Sequence, residues 1–326
     1  MMELFEELQS KITGTNKTIV FPEGEDVRVQ GAAVRLAKDG LLKPILLGAT
    51  ADVEKTAAEN NFDLSGLTVL DPATYPAEDL AKMVAALVER RKGKTDEATA
   101  TKWLTDVNYF GTMLVYMGLA DGMVSGATHP TGDTVRPALQ IIKTAPGSSR
   151  ISGAFIMQKG DERYVFSDAA INIDIDAPTM AEIAVQSAAT AKVFGIDPKV
   201  AMLSFSTKGS AKADQVTKVA EATELAHELA PELALDGELQ FDAAFVPSVG
   251  ASKAPDSDVA GHANVFIFPD LQSGNIGYKI AQRLGGYEAI GPILQGLAKP
   301  VSDLSRGANE EDVYKVAIIT AAQALN

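Results

Sequence analysis

Near the C-terminus, residues 300–314 read P-V-S-D-L-S-R-G-A-N-E-E-D-V-Y. Ser305 and Arg306 stand side by side, Gly307 closes the turn after them, and Glu310, Glu311 and Asp312 fall in the first turn of a predicted final helix. A hydroxyl, a guanidinium and a carboxylate at a helix N-terminus form a natural place to bind an anion. The same residues also have a purely structural reading. Asn309 is a good N-cap, Asp312 falls three residues later, and acids in a first turn suit the helix dipole. Spacing alone leaves both readings standing.

Positioning these groups falls to an α/β chain. Residues 18–21 (TIVF) predict a short buried strand, and an amphipathic helix follows over 26–38 with Gly40 as its stop. Residues 44–47 and 67–70 read as strands, and 51–60 and 78–90 as helices. This alternation means β-α-β units around a parallel sheet. One or two helices carrying the lone Trp103 fill 96–119, and a strand follows at 122–124. A hairpin about 159–162 then breaks the alternation and marks a new domain, consistent with about two domains of roughly 150 residues in a chain of 326. Further strands are predicted at 199–205, 240–246 and 265–268, with helices ending near 229 and spanning 276–284.

Several loops after these strands are rich in small and hydroxyl residues. The first, S-G-A-T-H-P-T-G-D over 125–133, offers Ser125, Thr128 and Thr131. Arg136 is placed in the first turn of a helix beginning near Thr134, where a cation opposes the dipole unless an anion is close. The second loop, S-T-K-G-S-A over 206–211, offers Ser206 and Thr207, and it lacks the G-x-x-x-x-G-K of a P-loop. Asn275 lies in a third, P-D-L-Q-S-G-N-I-G-Y-K over 269–279. Open α/β sheets bind ligands on such loops, although the same composition also makes ordinary turns. Their presence in both halves predicts a cleft between two α/β domains. The run R-R-K-G-K over 90–94 reads either as a cationic helix cap or as an anion contact.

Composition removes several chemistries. The chain has no cysteine, hence no disulfide, no thiolate nucleophile and no cysteine metal site. His129, His227 and His262 lie far apart without metal-ligand spacing, and no G-x-S-x-G elbow supports a serine hydrolase. A net charge of −14 argues against nucleic acid or anionic membranes as partners. An anionic substrate must therefore be held by a few local arginines against the overall field. No apolar run is long enough to span a bilayer, and the N-terminus lacks the basic and apolar regions of a signal peptide, so a cytoplasmic location is expected.

Four segments together carry a resemblance: S-G-A-T-H-P-T-G-D-T-V-R-P-A-L-Q at 125–140, S-F-S-T-K-G-S-A at 204–211, V-A-G-H-A-N-V-F-I-F-P-D-L-Q-S-G-N-I-G-Y-K at 259–279, and P-V-S-D-L-S-R-G at 300–307. They resemble the phosphate acetyl/butyryltransferases, in particular the short phosphate acetyltransferase (phosphotransacetylase) form, over essentially the whole chain. The resemblance implies two three-layer α/β domains with a cleft between them, similar to isocitrate and isopropylmalate dehydrogenases. It places residues 1–148 with 294–326 in a discontinuous first domain and 149–293 in the second. It also implies a homodimer, a role in acetate metabolism, and the reaction acetyl-CoA + phosphate ⇌ acetyl phosphate + CoA. Carried over residue by residue, Ser305, Arg306 and Asp312 match the catalytic positions. Arg136 matches a substrate arginine, and Arg91 matches a further one, with Arg90 as the alternative.

That reaction makes three demands. A free thiol has pKa ~8.5, so the CoA thiol needs a base; Asp312 is the candidate, with some burial expected to sharpen it. Arg306 and Arg136 are expected to grip phosphate, with Arg91 nearer the CoA phosphates. Ser305 is expected to donate a hydrogen bond to the acyl oxygen, a role worth ~3 kcal/mol in comparable sites. Attack is expected to be direct: a cysteinyl intermediate is excluded, and a seryl one lacks a paired histidine. CoA enters as a substrate, and no metal or tightly bound cofactor is expected. Competing readings are a phosphate butyryltransferase or another short-chain preference, a metal-dependent dehydrogenase on the same fold, and a non-catalytic CoA- or acyl-phosphate-binding protein. The dehydrogenase lacks both a clear D-x-x-x-D cluster on a late helix and a G-x-G-x-x-G loop.

Overall fold

The computed structural model describes residues 4–325. The chain divides into two compact units, one of residues 4–145 with 297–325 and the other Pro146–Gly296. Strands β1 (Thr18–Phe21), β2 (Lys43–Leu47), β3 (Thr68–Leu70), β4 (Gly122–Ser125) and β11 (Val301–Asp303) belong to the first unit. Strands β5 (Ser152–Lys159), β6 (Glu162–Ser167), β7 (Val200–Leu203), β8 (Leu235–Leu239), β9 (Val265–Ile267) and β10 (Glu288–Gln295) belong to the second.

In the first unit the sheet runs β11-β4-β1-β2-β3, and every pairing is parallel. Alternate residues face opposite sides of a strand, so the short apolar strands bury both faces. Val20 and Met123 join a core with Met83, Leu87, Phe110 and Met113. Ile19 and Gly122 face the other way, where a Cβ on Gly122 would meet Thr320 of the final helix, Glu310–Gln323. That helix packs on Val27–Lys38 and Leu4–Ile12. Asp26 caps Val27–Lys38 by accepting from the backbone N–H groups of Arg28 and Val29.

The second unit holds a mixed sheet ordered β10-β5-β6-β9-β7-β8, antiparallel through β10, β5 and β6 and parallel beyond. Phe155, Met157, Phe166, Leu239 and Phe266 form its core on one side, with Phe166 and Phe266 edge to face at 5.5 Å. Helices Ala177–Val193 and Asp214–Leu229 lie against the strands.

Two predicted elements move. The strand expected over 240–246 is a short helix, Phe241–Phe245, and the strand lies before it as β8. Phe241, Ala244 and Phe245 repeat at i, i+3, i+4, a helical spacing. The real strand, L-D-G-E-L, is masked by its polar centre, where Glu238 is buried but accepts hydrogen bonds from the Ser206 hydroxyl at 2.9 Å and Gly209 N at 2.7 Å. The helix expected from 276 begins at Leu271, with Asp270 capping Ser273 N at 2.8 Å. Gly274 weakens the helical signal there, yet a Cβ at that position would collide with the Asp168 carbonyl, so close approach requires glycine.

Candidate active site

The site is assembled at the carboxyl ends of β11, β4 and β1 in the first unit. Beyond β11, Leu304 N donates to Ser125 O at 2.7 Å, and the chain then leaves the sheet in a turn closed by Ala308 N to Ser305 O at 2.9 Å. Gly307 N donates to Ser305 Oγ at 3.2 Å, which leaves the hydroxyl proton free to point outward. Ser305 and Arg306 are both exposed. Among the described residues the Arg306 guanidinium has no ion-pair partner.

Asn309 and Asp312 form a capping box. Asp312 N donates to Asn309 Oδ1 and Asn309 N donates to Asp312 Oδ2, each at 2.9 Å. The other two acids of that turn face Val27–Lys38: Glu311 pairs with Arg35, and the Glu310 carboxylate fills the space where a Gly31 Cβ would lie. Asp312 is exposed, so the burial expected of it is absent. The cap engages Oδ2 and leaves Oδ1 for another partner.

Three residues that local spacing did not reveal hold this turn against the 125–133 loop. Arg28 donates through Nη1 to Arg306 O at 3.0 Å and Ala308 O at 2.7 Å, and through Nη2 to Ala127 O at 2.9 Å. Its orientation is fixed by Asp26, which accepts from Nε at 3.0 Å and Nη2 at 2.8 Å. Glu23 lies buried under the loop and accepts from the backbone N–H groups of Ala127, Thr128 and His129, from the Thr128 hydroxyl, and from His129 Nδ1 at 2.7 Å. Burial works to raise its pKa, but the donors of Thr128 and His129 prevail and hold it below the usual glutamate value. Asp303, the last residue of β11, accepts from the Thr131 hydroxyl at 2.6 Å. Gly126 crosses directly above it with φ +108°, and a Cβ there would stand 2.6 Å from both Asp303 Oδ1 and Leu304 O.

The predicted substrate contacts divide sharply. Ser125 is fully buried and donates to Asn108 Oδ1 at 2.7 Å. Thr128 and Thr131 turn their hydroxyls inward to Glu23 and Asp303. In the second unit Ser206 donates to Glu238, Thr207 donates to Gln240 Oε1 at 3.2 Å, and the Asn275 amide donates to Ala169 O at 3.1 Å. Each of these six side chains donates a hydrogen bond within its own loop or to a neighbouring element, so each has a part in shaping the loops. The arginines behave differently. Arg90 is consumed by the carbonyls of Ile141 at 2.6 Å and Ile142 at 2.8 Å. Arg91 makes one longer bond, Nη1 to Gln140 O at 3.3 Å, lies 5.7 Å over the Trp103 ring, and has no partner for Nε. Arg136 is exposed, with Asp133 at 3.9 Å. It sits in Thr131–Pro137, which starts three residues before the expected Thr134 and runs on without a break into the π-helical turn Ala138–Ile142. Arg136 therefore lies inside a continuous helical stretch and not in a first turn, so the electrostatic argument for an anion beside it falls away. Its exposure and free fork remain.

A family model for the phosphate acetyl/butaryl transferases matches residues 3–321. The chain belongs to this family. It is 61% identical over 325 residues to a phosphate acetyltransferase of Bacillus subtilis (strain 168), covering 100% of both chains. It also matches a crystal structure of a phosphotransacetylase from Streptococcus pyogenes at 64% identity and a TM-score of 0.97, covering 100% of this chain and 99% of that one. A putative 4-hydroxythreonine-4-phosphate dehydrogenase from Salmonella typhimurium shares the fold at 13% identity and a TM-score of 0.55, covering 95% of this chain and 99% of that one. The family membership and the dehydrogenase-like α/β fold read from the four motifs are thereby established.

Within this family member, Glu23 offers a direct test of the loop anchor. Replacing Glu23 with glutamine turns an amide NH2 toward Ala127 N, leaving buried donors facing each other at a cost of about 1–3 kcal/mol. A lower melting temperature at pH 7 is expected. Because the Glu23 pKa is depressed, its contribution is present above the usual glutamate range and lost as pH falls through the depressed value. The gap between the wild-type and variant melting temperatures should therefore close on acidification. A constant gap would mean that the charge of Glu23 is not what holds the loop.

Proposed function

We propose that this chain transfers an acetyl group reversibly between CoA and inorganic phosphate, by direct attack in a ternary complex. The observation that carries the reading is the exposed Ser305–Arg306 pair on a braced turn, followed directly by the helix whose first turn holds Asp312 with Oδ1 spare. In the acetyl-CoA-forming direction, Asp312 takes the proton from the CoA thiol and the thiolate attacks the acetyl carbon. Ser305 donates to the acyl oxygen as it gains charge, and Arg306 with Arg136 holds the departing phosphate. The C–S bond forms as the C–O bond to phosphate breaks, and phosphate leaves with the bonding pair. Arg91, with the less satisfied guanidinium, is assigned to substrate in preference to Arg90.

The reading extends to a cytoplasmic homodimer, and no described helix is long and apolar enough to cross a membrane. Purified protein should form acetyl-CoA from acetyl phosphate and CoA, with propionyl and butyryl phosphate poorer substrates, and sediment at about twice 34.3 kDa. Intersecting double-reciprocal lines are expected. Parallel lines with a trapped acetyl-enzyme would overturn direct transfer, and a preference for butyryl phosphate would overturn the acetyl assignment.

A further inference from the structure

The Asp303 carboxyl has no role in the mechanism above, yet it lies in the middle of the site. Asp303 pairs with Ser125 across β11 and β4 and is only 6% exposed. One oxygen accepts the Thr131 hydroxyl at 2.6 Å, a length suited to a carboxylate acceptor, while Oδ1 is buried with no hydrogen-bond partner. A buried carboxylate with an unmatched oxygen is an expensive anchor. Its placement explains why the fold retains it. Ser305 and Arg306 follow two and three residues later on the same strand exit, and Thr131 begins the helix that carries Arg136. The other brace, Arg28, is held by Asp26 and donates otherwise to main-chain carbonyls of Ala127, Arg306 and Ala308, none of them in that helix.

We propose that Asp303 is a positioning residue for acyl transfer: through the Thr131 hydroxyl it fixes the helix carrying Arg136 against the turn carrying Ser305 and Arg306. The inference rests on the reading of those residues as the phosphate and acyl contacts. Displacing a substrate-holding group by about 1 Å can cost ~10²-fold in rate.

Burial raises the pKa of Asp303 above the ordinary aspartate value, and the charge of Glu23, reaching it from the loop after β1, acts in the same direction against the opposing hydroxyls of Thr131 and the buried Thr134. The sign of its effect on stability follows. The contribution of the neutral acid is fully present below the usual aspartate range and is lost as pH rises through the raised value. Replacing Asp303 with asparagine should therefore leave the melting temperature at pH 7 unchanged or raised.

The test is a cycle of T131V, D303N and the double variant, with T131S as the conservative control. T131V is expected to lower kcat/KM for phosphate ~10–10²-fold. T131S should restore it, D303N should fall between, and the double variant should be no worse than T131V. Additive losses would make Thr131 a direct substrate contact and overturn the proposal. So would wild-type kinetics in both single variants, or a D303N enzyme that melts lower at pH 7 but turns over normally, which marks a purely structural residue. R306A measured alongside separates the two levels. If R306A is impaired while the cycle is silent, only the positioning role fails; if R306A is also silent, the site reading fails with it.

Discussion

Asp312→Asn is expected to lower kcat by ~10²–10⁴, the usual worth of a positioned general base. The fold should barely register the change. Asparagine can still accept from Asn309 N, so the loss is the charge near the helix N-terminus, about 0.3–1 kcal/mol. The capping box makes a second variant necessary. Asn309→Ala removes the side chain that accepts Asp312 N but keeps the carboxylate, and should cost about 1 kcal/mol of stability. If Asp312 is the base, the two variants separate: Asp312→Asn loses turnover and keeps its melting temperature, while Asn309→Ala does the reverse. Equal losses of kcat in both would mean that the carboxylate acts only by shaping the turn. On the proposed reading one carboxylate serves both purposes through different oxygens: Oδ2 closes the cap, and Oδ1 is the one the thiol would meet.

The parts of this structure visible in the sequence are those whose signal is local. The strand TIVF is read to the residue because a threonine and three apolar residues sit between a polar loop and Pro22. The hairpin about 159–162 and the Asn309–Asp312 box are short-range patterns with short-range causes. What spacing missed is held over long range. Glu23 finds its donors 104–106 positions away, and Arg28 meets Ala308 280 positions away. Nothing in P-E-G-E-D or D-V-R announces such partners. The same limit explains the hydroxyl loops: Ser, Thr and Gly after a strand mark the loops at the carboxyl end of the sheet, but composition cannot tell which way a hydroxyl turns. Ser125, Thr128 and Thr131 all turn inward and leave the outward positions to arginine and to Ser305. Arg136 shows a subtler failure. The helix began three residues before its predicted start and ran on to Ile142, and that shift alone removed the first-turn dipole argument.

For Arg306 the structure makes the cleanest experiment, since the turn depends on its backbone and not on its side chain. Arg28 grips the Arg306 carbonyl, and Ser305 O with Ala308 N closes the turn. Truncating the Arg306 side chain should therefore leave the turn in place and remove only the guanidinium. With a net charge of −14, the chain repels phosphate and CoA everywhere else, so a local fork must supply the attraction. Losing two charge-assisted hydrogen bonds at about 1.5–3 kcal/mol each corresponds to ~10²–10⁴-fold in kcat/KM for phosphate. Arg306→Lys keeps the charge but not the planar fork and should recover part of the loss, most of it in KM. Arg136→Ala should raise KM for phosphate with a smaller change in kcat, because Arg136 lies on the helix and not on the turn beside Ser305. Full recovery in Arg306→Lys would mean that charge suffices and the bidentate grip is not used. Unchanged kinetics in Arg306→Ala would remove the residue from the site and leave Arg136 and Arg91 to hold the anion.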